Sequence, residues 1–256
     1  MIIGAQLFSA RNYLQTEEGI ENAFALAKQS GFDCVQYSGA PDGGNFDSET
    51  LKRIIDKYSL PVCLTHISFD RLKNRTESEI RKHKAIGCRN IGLGMMPGEC
   101  VTDMKKLDAF ISDVKTIINK LGDADCRFFY HNHSIEFYKM ENGMTVFDYL
   151  LQNIPDLNIT FDTHWVQRGG ADVVDFIEKC AGRLECVHLK DYKVNAKWEA
   201  EFAPVGEGNL NWKDILPAFE RAGTVYAFVE QDNAPDLGEP FDFLKLSRDN
   251  LKKMGY

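Results

Sequence analysis

The sequence has no long apolar run, no paired-cysteine motif and no excess of positive charge. Each absence removes a class of protein. A helix that spans a bilayer needs about 20 consecutive apolar residues, and no stretch approaches that, so a membrane protein is not expected. The opening Met1-Ile2-Ile3-Gly4-Ala5-Gln6-Leu7-Phe8 lacks a basic start, is short for a secretory leader and runs at once into Arg11. The seven cysteines, at 34, 63, 88, 100, 126, 180 and 186, are odd in number and include no Cys-x-x-Cys pair. Most lie in apolar stretches, which suits buried free thiols in a reducing compartment rather than a disulfide framework. A cytoplasmic location is the expectation. Lys and Arg number 30 against 38 Asp and Glu, a net charge of −8. So acidic a chain has little with which to grip a phosphate backbone, and nucleic acid is not an expected partner.

What is present is a full globular composition, 44% hydrophobic and 27% charged. Short apolar runs alternate with longer amphipathic ones. The runs at 2–8, 33–37, 61–67, 90–94, 126–131, 157–161, 184–189 and 225–230 predict eight strands. Helices are predicted over 17–30, from 47 to 58, over 76–86 with an earlier start, and over 102–121, 146–153, 173–180, 211–221 and 241–253. The clearest is 102–121, where Leu107, Phe110, Ile111, Val114, Ile117, Ile118 and Leu121 recur at helical spacing. Several strands are continuously apolar, as expected when both faces are covered. No linker or low-complexity tract divides residues 1–256. Eight successive strand–helix units predict an α/β fold of one domain, a single (β/α)8 TIM barrel. The rival, a doubly wound sheet, would want a glycine-rich phosphate loop after the first strand, and Ser9-Ala10-Arg11-Asn12 is not one.

In such a barrel the active site lies at the C-terminal ends of the strands. Strand three ends at His66. Strand five ends at His131-Asn132-His133, with Glu136 beyond. Strand six ends at Asp162, strand seven at His188 with Lys190 following, and strand eight at Glu230 with Asp232 following. One at a time, most of these have an ordinary reading: Asp162 as a helix cap, His66 and His188 as hydrogen-bonded rim or core histidines. Together on one rim they are the ligand types of a single divalent ion, Mn²⁺, Co²⁺, Zn²⁺ or Mg²⁺, because acids and imidazoles seldom cluster without a cation. Glu230 follows the apolar Ala227-Phe228-Val229, where a carboxylate is costly unless paired or metal-bound. Lys190, two residues after His188, should face the same way and could polarise a substrate carbonyl. Trp165 and Arg168, in the loop after strand six, are candidates for a sugar-pocket wall, as is His66. The long 192–209 segment is read as a lid or specificity loop. Its Gly206-Glu207-Gly208 is read as a tight backbone feature, with only a weak claim to cradle phosphate.

The segments GAQLFSAR (4–11), YHNHSIEF (130–137), FDTHWVQRGG (161–170), VHLKDY (187–192), PVGEGNLNW (204–212) and FVEQD (228–232) together resemble the sugar phosphate isomerase/epimerase family of xylose isomerase-like TIM barrels, which also includes apurinic-site endonucleases. The resemblance spans nearly the whole chain. It implies one divalent ion held by a strand-five carboxylate, Asp162, His188 and Glu230. At strand five this sequence has His131 where many members have Glu, so either His131 takes that place or Glu136 folds back to supply the carboxylate. The endonuclease branch holds three zinc ions with additional histidines, and Met96 stands where that branch has one. The implied activity is isomerisation or epimerisation of a sugar, sugar phosphate or keto-polyol through an enediolate. Glu230 or His133 would remove the C–H proton, and Lys190 would assist. Alternatives are a metal-dependent dehydratase or lyase acting on a keto-sugar or keto-inositol, a metal-free lyase forming a Schiff base through Lys190, and a sugar-binding barrel whose catalysis has decayed. The expected partner is a small-molecule carbohydrate; pairing into a homodimer stays open.

Overall fold

The computed structural model describes residues 1–256. Seven strands follow one another: β1 (Ile2–Gln6), β2 (Cys34–Tyr37), β3 (Val62–His66), β4 (Asn90–Leu93), β5 (Arg127–His131), β6 (Asn158–Asp162) and β7 (Cys186–Leu189). An antiparallel hairpin of β8 (Asp191–Val194) and β9 (Ala200–Ala203) comes next, and then β10 (Tyr226–Val229). β10 pairs in parallel with both β7 and β1, which closes an eight-stranded (β/α)8 barrel and leaves the hairpin outside it.

The helices form because their apolar stripes need the barrel's outer face. Met104–Asp123 is capped by Asp103, whose carboxylate accepts the N–H groups of Lys105 and Lys106, and it buries Leu107, Phe110, Ile111, Val114, Ile117 and Leu121. Fully burying each such side chain is worth about 1.5–3 kcal/mol. These contacts belong to one apolar cluster of 63 residues between barrel and helices. No helix is long and apolar enough to cross a membrane.

Several stretches differ from the sequence reading; the segment with Trp165 and Arg168, read as a loop, is a helix, Thr163–Arg168. β1 stops at Gln6 rather than running to Phe8, because the Gln6 side chain accepts the Phe8 N–H and turns the chain into a 3-10 segment, Leu7–Gln15. The charged helix covers Thr76–Ala85, and its expected earlier start is a separate helix, Phe69–Asn74, broken off at Arg75, where φ is −135°. The 192–209 segment is not a simple loop but carries most of the hairpin.

The barrel interior explains where the chemistry sits. Side chains alternate in and out along a strand, so residues two apart share a face. One buried inward layer contains Cys34, Leu64, Phe129, Cys186 and Phe228. A Cβ on Gly4 would lie 2.6 Å from the Phe228 ring and 2.8 Å from the Cys34 sulfur, so glycine is required there. Two residues further along the same strands come Gln36, His66, His131, His188 and Glu230. The apolar layer is thus the floor beneath a polar one at the C-terminal mouth.

Candidate active site

That polar layer converges. His131, Asp162, His188 and Glu230 each present one donor atom, all within 4.8 Å of one another, and all four residues are buried. Asp162 Oδ2 lies 3.3 Å from His131 Nε2 and 3.5 Å from His188 Nδ1. Glu230 Oε2 lies 2.8 Å from His188 Nδ1. Secondary structure holds the first of these carboxylates in place. Asp162 Oδ1 accepts the Trp165 N–H and caps the helix Thr163–Arg168, while the Asp162 N–H donates to Asn132 Oδ1 at 3.0 Å.

The outer partners of the two imidazoles set their inner faces. His131 Nδ1 lies 3.0 Å from the Gly94 carbonyl and Nε2 3.3 Å from Asp162 Oδ2; both partners accept, so the neutral ring can donate to only one, and a hydrogen on Nδ1 would free the Nε2 lone pair for a cation. His188 Nε2 lies 2.7 Å from Gln36 Oε1, which by the same argument leaves Nδ1 facing the carboxylates. His188 Nδ1 and Glu230 Oε2 are buried 2.8 Å apart, and the Lys190 ammonium lies 2.9 Å from the same oxygen. Two imidazoles and two carboxylates facing one another suit a divalent cation, and the residues fit the ion the sequence led us to expect.

Lys190 closes the site from one side. Its Nζ is 3.1 Å from Asp162, 2.9 Å from Glu230 and 3.1 Å from Asp232. Burial alone would push its pKa down, but these three carboxylates more than reverse that, and the ammonium is held well above its ordinary value. Burial tends to raise the Asp162 and Glu230 pKa values. Lys190 and the neighbouring imidazoles outweigh it, and both carboxyls sit below their ordinary range. Burial prevails at Asp232, whose carboxyl is pushed up to about 7. A cavity of about 420 Å³ opens at the quartet, its polar lining including His66, His131, His133, Lys190, Glu230 and Asp232 and its apolar lining Phe8, Ile67, Phe69, Leu93 and Met95.

A family model described as xylose isomerase-like TIM barrel matches residues 24–247. The chain belongs to that family. No curated protein matches it by sequence. Among solved structures, a sugar phosphate isomerase/epimerase from Parabacteroides distasonis is 20% identical and superposes with a TM-score of 0.76 over 98% of this chain and 97% of that one. A D-allulose 3-epimerase from Methylomonas sp. is 14% identical, with a TM-score of 0.75 over 99% and 97%. The probable 3-DHS dehydratase AsbF from Bacillus anthracis is 16% identical, with a TM-score of 0.77 over 98% and 99%. At these identities the likeness is one of fold.

Against this xylose isomerase-like frame the anticipated residues sort clearly. The structure brings His131, Asp162, His188 and Glu230 together and leaves Glu136 out. Glu136 is fully buried, but its carboxylate accepts from the Tyr130 hydroxyl at 2.5 Å and the His133 N–H at 2.8 Å. The option that Glu136 folds back to complete the quartet is therefore corrected: both its oxygens are already engaged by β5 and the turn after it. His66 lines the cavity, its ring 5.2 Å from that of His131. His133 lines it too, edge-on to His131 and tilted against Trp165 with ring centroids 4.6 and 5.2 Å away, and with Nδ1 unpartnered. Trp165 backs the site, its ring 5.4 Å from Lys190 Nζ, without lining the cavity. Arg168 is exposed, lies over the outer face of Trp165 and does not reach the cavity.

Gly206-Glu207-Gly208 cradles an anion, but an internal one. The N–H groups of Gly206 and Gly208 donate to Asp191 Oδ2 at 2.8 and 3.0 Å, joined by Trp212 Nε1 at 2.7 Å. The feature ties the hairpin to the barrel and leaves no room for phosphate. Sequence reasoning missed Gln36. The signal available was a lone polar residue in the strand CVQY at an inward, C-terminal position.

Proposed function

We propose that this chain is a divalent-metal-dependent isomerase or epimerase of an unphosphorylated keto-sugar or keto-polyol. The observation that carries the reading is the buried quartet, whose four donor atoms lie within 4.8 Å of one another. His131, Asp162, His188 and Glu230 would hold the ion, which when bound supplies Lewis-acid stabilisation of charge developing on adjacent substrate oxygens. The chain's own groups do the rest. Glu230, on the β10 side, is the base for the C–H proton beside the carbonyl, and His133, on the β5 side, is placed to serve the opposite face. Lys190 stays protonated among three acids, so it can donate to a substrate oxygen. It is poorly suited to Schiff-base chemistry, which needs the neutral amine. No other Lys or Arg lines the cavity, and Lys190 is already outnumbered by acids. A phosphate dianion would find no free cation there, only the Ser38 and Ser68 hydroxyls, whereas Phe8, Phe69 and Met95 suit the C–H face of a neutral sugar.

One observation favours a second reading, dehydration. Asp232, with its carboxyl held at about 7, could pass a proton to a departing hydroxyl. The same experiment separates the two. The Mn²⁺-loaded protein is incubated with a panel of ketohexoses and keto-inositols in D₂O. Isomerase or epimerase activity places deuterium on the carbon beside the carbonyl, dehydration releases water and gives an unsaturated product, and Glu230→Gln abolishes either. Full turnover by Glu230→Gln would remove Glu230 as the base.

A further inference from the structure

We infer that Gln36 is a positioning residue that decides which nitrogen of His188 faces the ion-binding quartet. The inference rests on the metal-site reading above but concerns a residue that lies outside the quartet, on the far side of the barrel. Gln36 is fully buried and inward-facing on β2, and it reaches a histidine 152 positions later in the chain. Its Oε1 is 2.7 Å from His188 Nε2. An amide oxygen only accepts, so Nε2 must carry a hydrogen, which leaves Nδ1, the atom next to Asp162 and Glu230, as the nitrogen that can give up its proton to an ion.

The two imidazoles of the quartet are oriented by different means. His131 is oriented by the main-chain carbonyl of Gly94, which no substitution removes. His188 depends on a side chain. An amide is also the acceptor that adds no charge, in a site where Asp162, Glu230 and Asp232 already surround one lysine. The Gln36 Nε2 atom has no partner of its own, so the polar contact on this side chain is the one to His188. If the amide were turned over, its NH₂ would donate to a bare Nε2 and drive the hydrogen onto Nδ1, where it would block the ion.

The test has two arms. In metal-free wild-type protein, ¹⁵N–¹H correlation of the His188 ring should show a protected hydrogen on Nε2; a bare Nε2 overturns the inference without any variant. Mn²⁺ titration of full-length Gln36→Leu and Gln36→Glu should then show affinity falling roughly ten- to hundredfold for Leu. Gln36→Glu keeps an acceptor and should recover most of that loss. Wild-type affinity in a Leu variant with an unchanged melting temperature would also overturn it. Failure of wild-type protein to bind Mn²⁺, Co²⁺ or Zn²⁺ sinks the metal reading instead, and the Nε2 hydrogen still decides the role of Gln36.

Discussion

Asp162 and Glu136 are both fully buried acids, yet only one faces the other ligands, and the difference lies in what each already accepts. The free oxygen of Asp162 looks at two imidazoles and an ammonium. Glu136 spends one oxygen on the Tyr130 hydroxyl and the other on the His133 N–H. Burial is the first cause that pushes its carboxyl up to about 7. Two variants are therefore expected to behave oppositely. Asp162→Asn should take the protein from about one bound ion per chain to almost none after dialysis, because a neutral amide is a poor ligand for a hard cation. Glu136→Gln should keep its ion. Elemental analysis of both decides, and an ion lost from Glu136→Gln but kept by Asp162→Asn would reverse the assignment. Residue types and strand ends made Asp162, His188 and Glu230 legible in the sequence. The choice between His131 and Glu136 was not, because it turns on a hydroxyl six residues away whose direction depends on packing.

At the scale of elements, the hairpin β8–β9 owes its place to a carboxylate. Asp191, immediately after Lys190, accepts from the main chain at Gly206, Gly208 and Tyr192 and from the Trp212 indole. Gly206 has φ +88°, a conformation that favours glycine, and a Cβ there would press on Met254 and Asn250. Asp191→Ala would strand the buried Trp212 indole N–H and leave three part-buried main-chain N–H groups to water. An unpaired buried group costs about 1–3 kcal/mol, so a loss on the order of 1–3 kcal/mol in urea unfolding is expected. Hydrogen exchange at Gly206 and Gly208 should accelerate in the same variant. Unchanged exchange would mean that the segment is held by something other than this carboxylate. The sequence marked 192–209 as long and glycine-bearing, but not as a hairpin. Its strands are half-exposed ribbons that do not stand out as apolar runs.

At the scale of the whole molecule, the packing of helix against barrel has an acid limit. His83, on the helix Thr76–Ala85, is fully buried. Its Nδ1–H donates to the Glu79 carbonyl at 2.6 Å, and its Nε2 accepts from the Thr65 hydroxyl of β3 at 2.8 Å. Burial is the first cause that lowers its pKa from 6.5 to about 4. The folded state therefore prefers the neutral ring, and between those values the unfolded chain binds the proton more readily. The contribution is fully present above about pH 6.5 and is lost as pH falls toward 4, about 3 kcal/mol in all. Chemical denaturation from pH 7 to 4 should show that slope in the wild type and a shallower one in His83→Gln. Parallel curves would rule His83 out as the source.

Local patterns in the sequence are enough to specify the barrel. Apolar runs and helical stripes are local patterns, and eight of them in succession leave few ways to bury every face. Period-two alternation also determined that acids and imidazoles would stand at the strand ends. Which of those groups meet, and in what state, depends on the closed barrel. Gln36 touches His188 across the barrel, Gly94 sets the face of His131, and three carboxylates from the ends of two strands, β6 and β10, charge Lys190. Such contacts depend on closure, which brings distant positions within a few ångströms, and no local pattern encodes a distance that exists only after the barrel has closed.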